Sequence, residues 1–180
     1  MKILKKMFVV VLILMIPVST VLAQADKGDK ELSTAASFMV IRPEGGDTYS
    51  GIHLAGRFGY FLSKNMEIEP EVAIGKFEDA DMGYVLSCNL NYNLSASGKT
   101  VPFFLVGGGI CNTAWFLVPN LAITGGDETH LLLNAGVGVK VFLSETTAFR
   151  AEYRFQHIFS DGYITYHYGL IGFSVFLKKQ

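Results

Sequence analysis

Glu67, Glu69 and Glu71 stand at alternate positions of a 180-residue chain. Successive side chains on a strand point to opposite faces, so these three carboxylates share one face. Adjacent carboxylates are the raw material of acid–base catalysis. A second segment, Arg150-Ala151-Glu152-Tyr153-Arg154, has the same spacing with mixed sign. With Arg57 and Lys140 added, the four carboxylates Glu67, Glu69, Glu71 and Glu152 face the four cations Arg57, Lys140, Arg150 and Arg154, with His53 extra. Charges removed from water need partners, so this balance reads as an interior ion-pair network rather than a catalytic pair.

The other candidate chemistry is nucleophilic. Residues 152–162 contain His157, Ser160 and Asp161. A serine nucleophile needs a histidine base within hydrogen-bond reach and a third group to orient the imidazole. On one strand His157 and Ser160 have opposite parity and face apart, and only a bulge or loop would bring them together. The expectation is a rim histidine beside polar loop residues, with no catalytic residue. There is no phosphate loop, zinc spacing or EF-hand, so no cofactor or metal site is expected. His130 and His167 lie singly and read as structural. A net charge of −1 gives no electrostatic case for nucleic acid. Cys88 and Cys111 are too few for a disulfide scaffold, and sequence leaves open whether they bond.

Positioning these groups falls to strands. Two hairpins echo each other: residues 56–71 and 137–152 each carry Phe-Leu-Ser at the turn. The alternation predicts eight strands, at Leu32–Arg42, Thr48–Leu62, Met66–Gly75, Met82–Leu94, Thr100–Ile110, His130–Leu143, Thr147–Ile158 and Tyr163–Leu177. Short polar turns fall at 63–65, 95–99 and 144–146. The longest connection is 111–129, where Trp115 and Phe116 are expected at an exposed recognition tip or, more commonly, as a membrane-interface anchor. If the mature N-terminus starts in the periplasm, the tight turns lie on that side and the long loop outside.

Parity carries the fold reading. Ile52, Leu54, Phe58, Tyr60 and Leu62 oppose His53, Ala55 and Arg57. Met66, Ile68, Pro70, Val72 and Ile74 oppose the three glutamates and Ala73. Leu86, Cys88, Leu90 and Tyr92 oppose Ser87, Asn89, Asn91 and Asn93. Leu131, Leu133, Val137, Val139 and Val141 oppose Asn134, Gly136, Gly138 and Lys140. Phe149, Tyr153 and Phe155 oppose Arg150, Arg154 and Gln156; Ile171, Phe173 and Val175 oppose Gly172 and Ser174. The expected fold is all-β, an eight-stranded antiparallel up-and-down transmembrane β-barrel with lipid outside and a filled polar interior. Tyr60, Tyr92, Phe142, Tyr153 and Phe155 near strand ends suggest interfacial girdles. The alternative is a soluble lipocalin-like barrel, with the apolar face lining a ligand cavity.

Residues 1–23 read as a secretion signal. Lys2, Lys5 and Lys6 precede an apolar run at 7–18, and Val21-Leu22-Ala23 offers a cleavage site. Residues 24–180 then form one barrel domain.

Several segments carry a family resemblance. Residues 58–65, Val101-Pro102-Phe103-Phe104 with Gly107-Gly108-Gly109, residues 136–144, and Ala151-Glu152-Tyr153-Arg154-Phe155 resemble the outer-membrane protein β-barrel domain family, the OmpA/OmpX-like eight-stranded barrels. The resemblance covers nearly the whole mature chain. It implies location in the outer membrane of a Gram-negative bacterium, contact with outer-membrane lipid and a structural or surface-interaction role. It also implies a monomer whose 111–129 loop is open to an extracellular partner. Family members end on an aromatic residue, which here is displaced inward to Phe176. Residues 152–162 are also similar to the lipid A 3-O-deacylase (PagL-type) barrels, which implies a Ser-His-Glu arrangement on the lipid-facing wall. His157 fits that motif. Phe159 stands where the serine belongs, Ser160 is one place late, and Ile171 stands near the expected Glu.

Overall fold

Alternating small or charged and apolar residues build eight strands that close on themselves. The computed structural model describes residues 25–41, 49–77, 81–94, 98–115, 128–160 and 164–179. The strands are β1 Lys30–Ile41, β2 Tyr49–Phe61, β3 Met66–Phe77, β4 Met82–Asn93, β5 Thr100–Asn112, β6 Thr129–Phe142, β7 Thr147–Phe159 and β8 Ile164–Leu177. Each pairs antiparallel with its chain neighbour, and β8 pairs with β1 to close the barrel. Closure satisfies both edges of the sheet, a condition for crossing lipid with strands. Strands of 12 to 14 residues exceed the roughly 9–11 that a tilted bilayer crossing needs.

The structure places the apolar parity outward. Leu32, Ile52, Leu54, Val72, Leu86, Leu133, Val137, Ile171 and Phe173 are exposed on the outer wall, while Arg57, the three glutamates of β3, Lys140, Arg150, Glu152 and Arg154 are buried inside. This arrangement corrects the lipocalin-like alternative, because the interior holds charges instead of an apolar cavity. Tyr60 and Tyr92 face outward at strand ends, as the girdle reading requires, whereas Tyr153 and Phe155 face outward from within β7, away from its ends. Phe142 does not. It shares parity with Lys140, points inward and packs on Phe176 at 4.9 Å between ring centroids.

The strand assignments differ from expectation mainly at their ends. β1 begins two residues before Leu32, which adds Glu31 to the interior. β5 runs on to Asn112, and a short 3-10 turn, η1, follows at Thr113–Trp115. Pro70 sits mid-strand on the outer face without an N–H to donate. The β2–β3 register is interrupted there, between Arg57↔Glu71 and Tyr60↔Ile68.

The outer wall gives a direct test of its solvent. Val72 lies mid-strand and outward, so Val72→Arg is expected to destabilise a lipid-folded barrel by about 2–4 kcal/mol. Urea unfolding in vesicles measures this, and unchanged stability would put that face in water.

Residues 26–29 and Lys178–Lys179 meet at one end of the barrel, beside the 62–66 and 143–147 turns. Gly28 turns the chain into β1 with φ +94°, a conformation other residues rarely adopt. Asp29 ties the ends together: its carboxylate accepts hydrogen bonds from the backbone N–H of Asp26 at 2.9 Å and of Lys179 at 2.8 Å, with Lys178 Nζ at 3.2 Å. Burial opposes its ionisation, but these donors and the ammonium outweigh burial and hold the carboxyl below its usual value. A group held low in the folded state stabilises above its unfolded pKa. That contribution is lost as pH falls through the folded value. Asp29→Asn should therefore cost stability at neutral pH, with the gap to the parent closing on acidification to about pH 3. Unfolding midpoints across that range test it.

Candidate functional site

The interior is built in three layers, each from one parity of the strands. At the end that carries Gly28 and Lys179, Phe61, Val101, Phe142, Ala148 and Phe176 close the lumen, with Ala25 against them. At the opposite end, Phe77, Val85, Cys111, Trp115, Leu132, Ile158, Tyr168 and Leu170 form a second apolar layer. The charges lie between them.

The middle layer is a connected ion-pair network. Glu152 is its hub: its carboxylate meets Arg57 Nη1 at 3.1 Å, Arg150 Nη2 at 3.0 Å and Arg154 Nη2 at 2.6 Å. Arg57 Nε and Arg154 Nη1 each reach Glu71 at 2.5 Å. Arg150 holds Glu69 with two nitrogens, at 2.5 and 3.1 Å. Lys140 Nζ bridges Glu31 at 2.6 Å and Glu67 at 2.8 Å. Ser174 Oγ donates to Glu31 at 2.6 Å. The four carboxylates and four cations expected from parity are therefore brought together, and Glu31 is a fifth carboxylate that the sequence reading missed. Glu31 shares parity with Ser33, Ala35 and Ser37, and that small-residue run was the signal available for it.

Glu31, Glu67 and Glu69 bring carboxylate oxygens within 4.8 Å of one another. Lys140 and Arg150 already occupy that seat, so the cluster works as an ion-pair centre. Lys140 Nζ also lies 5.4 to 5.7 Å from the ring centroids of Phe103, Phe61 and Phe176. The charged layer thus rests on the aromatic floor.

A hydrogen-bond chain links the network region to the far layer. Asn134 donates to Asn89 at 3.1 Å, Gln156 donates to Asn134 at 3.0 Å, and Trp115 Nε1 donates to Gln156 at 2.7 Å. Trp115 corrects the expectation of an exposed tip or interface anchor. It is only 3% exposed and stacks on His53 at 4.2 Å. The turn that inserts it is held by side chains: Asn112 Oδ1 accepts from Tyr84 N at 2.8 Å, and Thr113 Oγ1 donates to the Glu128 carbonyl at 3.1 Å. Gly83 leaves the room for this turn, because a Cβ there would collide with the Trp115 backbone. Phe116, which the sequence paired with Trp115, and the rest of the loop through residue 127 lie outside the described residues.

Among the described residues, His157 and Ser160 do not hydrogen-bond to each other. His157 sits on the outer wall among Phe155 and Phe159, and its Nδ1 is 3.1 Å from Thr165 Oγ1. Ser160 Oγ has no hydrogen-bond partner, and Asp161 lies outside the described residues. Ile171 faces outward, where the motif would need its acid. His167 Nδ1 lies 2.8 Å from the Tyr153 hydroxyl, and His130 Nε2 lies 3.1 Å from Thr113 Oγ1. Cys88 is exposed on the outer wall and Cys111 is buried in the lumen, both free. The sheet itself separates them, so they cannot bond to each other. Around Cys88 the small residues Gly56, Pro70 and Gly108 leave a shallow depression of about 750 Å³ between Phe58, Val72 and Leu86.

A closed eight-stranded barrel with an apolar outer wall and a charged, filled lumen is the architecture of small outer-membrane proteins. The sequence profile of the outer membrane protein β-barrel domain matches residues 8–178. The chain belongs to the outer-membrane protein β-barrel domain family. Comparison with curated proteins gives no match. The N-terminal β-barrel domain of Pseudomonas aeruginosa OprF is similar at 17% identity over 86% of this chain and 100% of that one, with a TM-score of 0.60. Neisserial surface protein A is similar at 15% identity over 84% and 97%, with a TM-score of 0.61. A de novo designed transmembrane β-barrel is similar at 13% identity over 86% and 99%, with a TM-score of 0.53. At such identities the likeness is one of fold, and a designed chain shares it. This outer-membrane barrel places its outer wall in contact with lipid. The tight turns lie at one end of this barrel, and Trp115 closes the other.

Proposed function

We propose that this protein is a sealed, non-catalytic barrel that serves the outer membrane structurally and presents residues 116–127 of the 111–129 connection to partners outside the cell. The observation that supports this reading is the filling of the lumen: aromatic layers at both ends and a paired charge network between them. Among the described residues, an interior packed this way leaves no open solute path. Residues 1–23 act as the export signal, and the mature chain begins at Gln24 and works as a monomer.

Reconstitution into planar bilayers tests the sealed state. The expected record has no discrete conductance steps, and regular steps would overturn it. Protease added to intact cells should cut within 116–127 and leave the barrel whole; resistance of that segment would overturn its surface role. Purified lipid A should release no ester-linked acyl chain, and release lost in His157→Ala would restore the deacylase reading.

A further inference from the structure

We propose that Glu67 carries a proton, and that this proton is the fifth positive charge of the lumen. Glu31, Glu67, Glu69, Glu71 and Glu152 are buried there against only Arg57, Lys140, Arg150 and Arg154 among the described residues. Asp29 lies at the rim and has its own partner in Lys178. One surplus negative charge in a sealed, low-dielectric interior carries a penalty of several kcal/mol, which binding a proton removes.

Geometry selects the carboxyl. Glu69 is held by both terminal nitrogens of Arg150, Glu71 by two arginines and Glu152 by three. Glu31 has Lys140, Ser174 and Arg150 at 3.5 Å. Glu67 has only a share of Lys140, plus two long contacts from Asn91 Nδ2 at 3.3 Å and Asn93 Nδ2 at 3.4 Å. All of these fall on Oε2. Its Oε1 is fully buried and has no partner. It lies against Gly59, where a Cβ would collide with it. The Oδ1 atoms of Asn91 and Asn93 are also without partners. Three orphan acceptors in one corner call for a donor, and a hydroxyl on Glu67 supplies one.

The charged groups around this corner are Glu31 of β1, Glu69 of β3, Lys140 of β6 and Arg150 of β7; β4 contributes the two asparagines, and β2, β5 and β8 contribute Gly59, Phe61, Phe103, Ser174 and Phe176. His53 does not serve as the fifth cation. Its ring is enclosed by Trp115, Phe77 and Tyr168, with no carboxylate at ion-pair distance among the described residues. A cavity of about 20 Å³, lined by Lys64, Asn93, Lys140 and the aromatic floor, lies at the end with the tight turns. That volume holds about one water.

Infrared spectra of the refolded full chain in lipid at neutral pH test the proposal. The expected wild-type spectrum shows the carbonyl stretch of a protonated carboxyl. In Glu67→Gln, an isostere of the protonated form, that band is gone and the unfolding midpoint is unchanged. In Asp29→Asn, which removes a rim carboxyl paired with Lys178 and leaves the lumen count untouched, the band stays and the midpoint falls. Absence of the band in the wild type, its survival in Glu67→Gln, or failure of Glu67→Gln to fold would each overturn it.

Discussion

Replacing Glu152 with glutamine is expected to lower the unfolding free energy of the barrel by about 3–5 kcal/mol, the cost of breaking a buried ion pair from one side. Glu152 touches Arg57, Arg150 and Arg154. Glutamine keeps the shape but removes the charge, and three guanidiniums are left with Glu69 and Glu71 to share. The loss arises from removing the one carboxylate that three guanidiniums share, so a second change that removes one of them should recover part of it. Arg57→Met in the Glu152→Gln background is the natural choice, because Arg57 spans Glu71 and Glu152. The double variant should therefore be more stable than additivity of the two single variants allows, since the residues are in contact. Urea unfolding of lipid-folded protein, read by heat-modifiable gel mobility, measures all four forms. Strict additivity would mean that water screens the network, and the sealed lumen would then be wrong.

The same network shows what the sequence reveals and where it stops. Strict period-two alternation exposes the faces of β2, β3, β4, β6 and β7, because lipid and a packed lumen demand opposite side chains at every step. Eight of the nine buried network charges follow from that parity alone. Glu31 escapes because β1 has a small, mildly polar interior face, and its start is blurred by Asp29 and Lys30. Phe142 is misplaced when judged by its position near a turn. Its parity, two residues beyond Lys140, points inward, and parity wins because lumen packing acts on every residue of the strand. Trp115 is legible by neither rule. It lies beyond the last strand residue, where no period applies, and its burial depends on Gly83 of another strand leaving the space. His157 and Ser160 have opposite parity, and the Ser160 hydroxyl has no hydrogen-bond partner.

Trp115→Ala is expected to unseat the extracellular plug and make Cys111 reactive. Truncating a buried aromatic residue costs about 3–5 kcal/mol. Here the loss includes the stack on His53 and the hydrogen bond to Gln156. The turn at Thr113–Trp115 is only three residues long, and without the indole little apolar area holds it in the barrel mouth. Cys111 lies in the same apolar layer with no exposed surface, which makes it a natural reporter. In a Cys88→Ser background, a charged, membrane-impermeant thiol reagent added to intact cells should leave the parent unmodified. Each 1.4 kcal/mol of lost closure raises the open population tenfold. A loss of about 3 kcal/mol therefore predicts labelling on the order of 100-fold faster in Trp115→Ala. Gly83→Val should act in the same direction with the tryptophan intact, because its side chain takes the space of the Trp115 backbone. The charged layer beneath stays paired in both variants, so bilayer conductance should remain absent while the thiol opens. Labelling with conductance would mean that Trp115, and not the ion-pair network, is the barrier to ions. Unchanged labelling would mean that Cys111 is sealed by its strand neighbours alone.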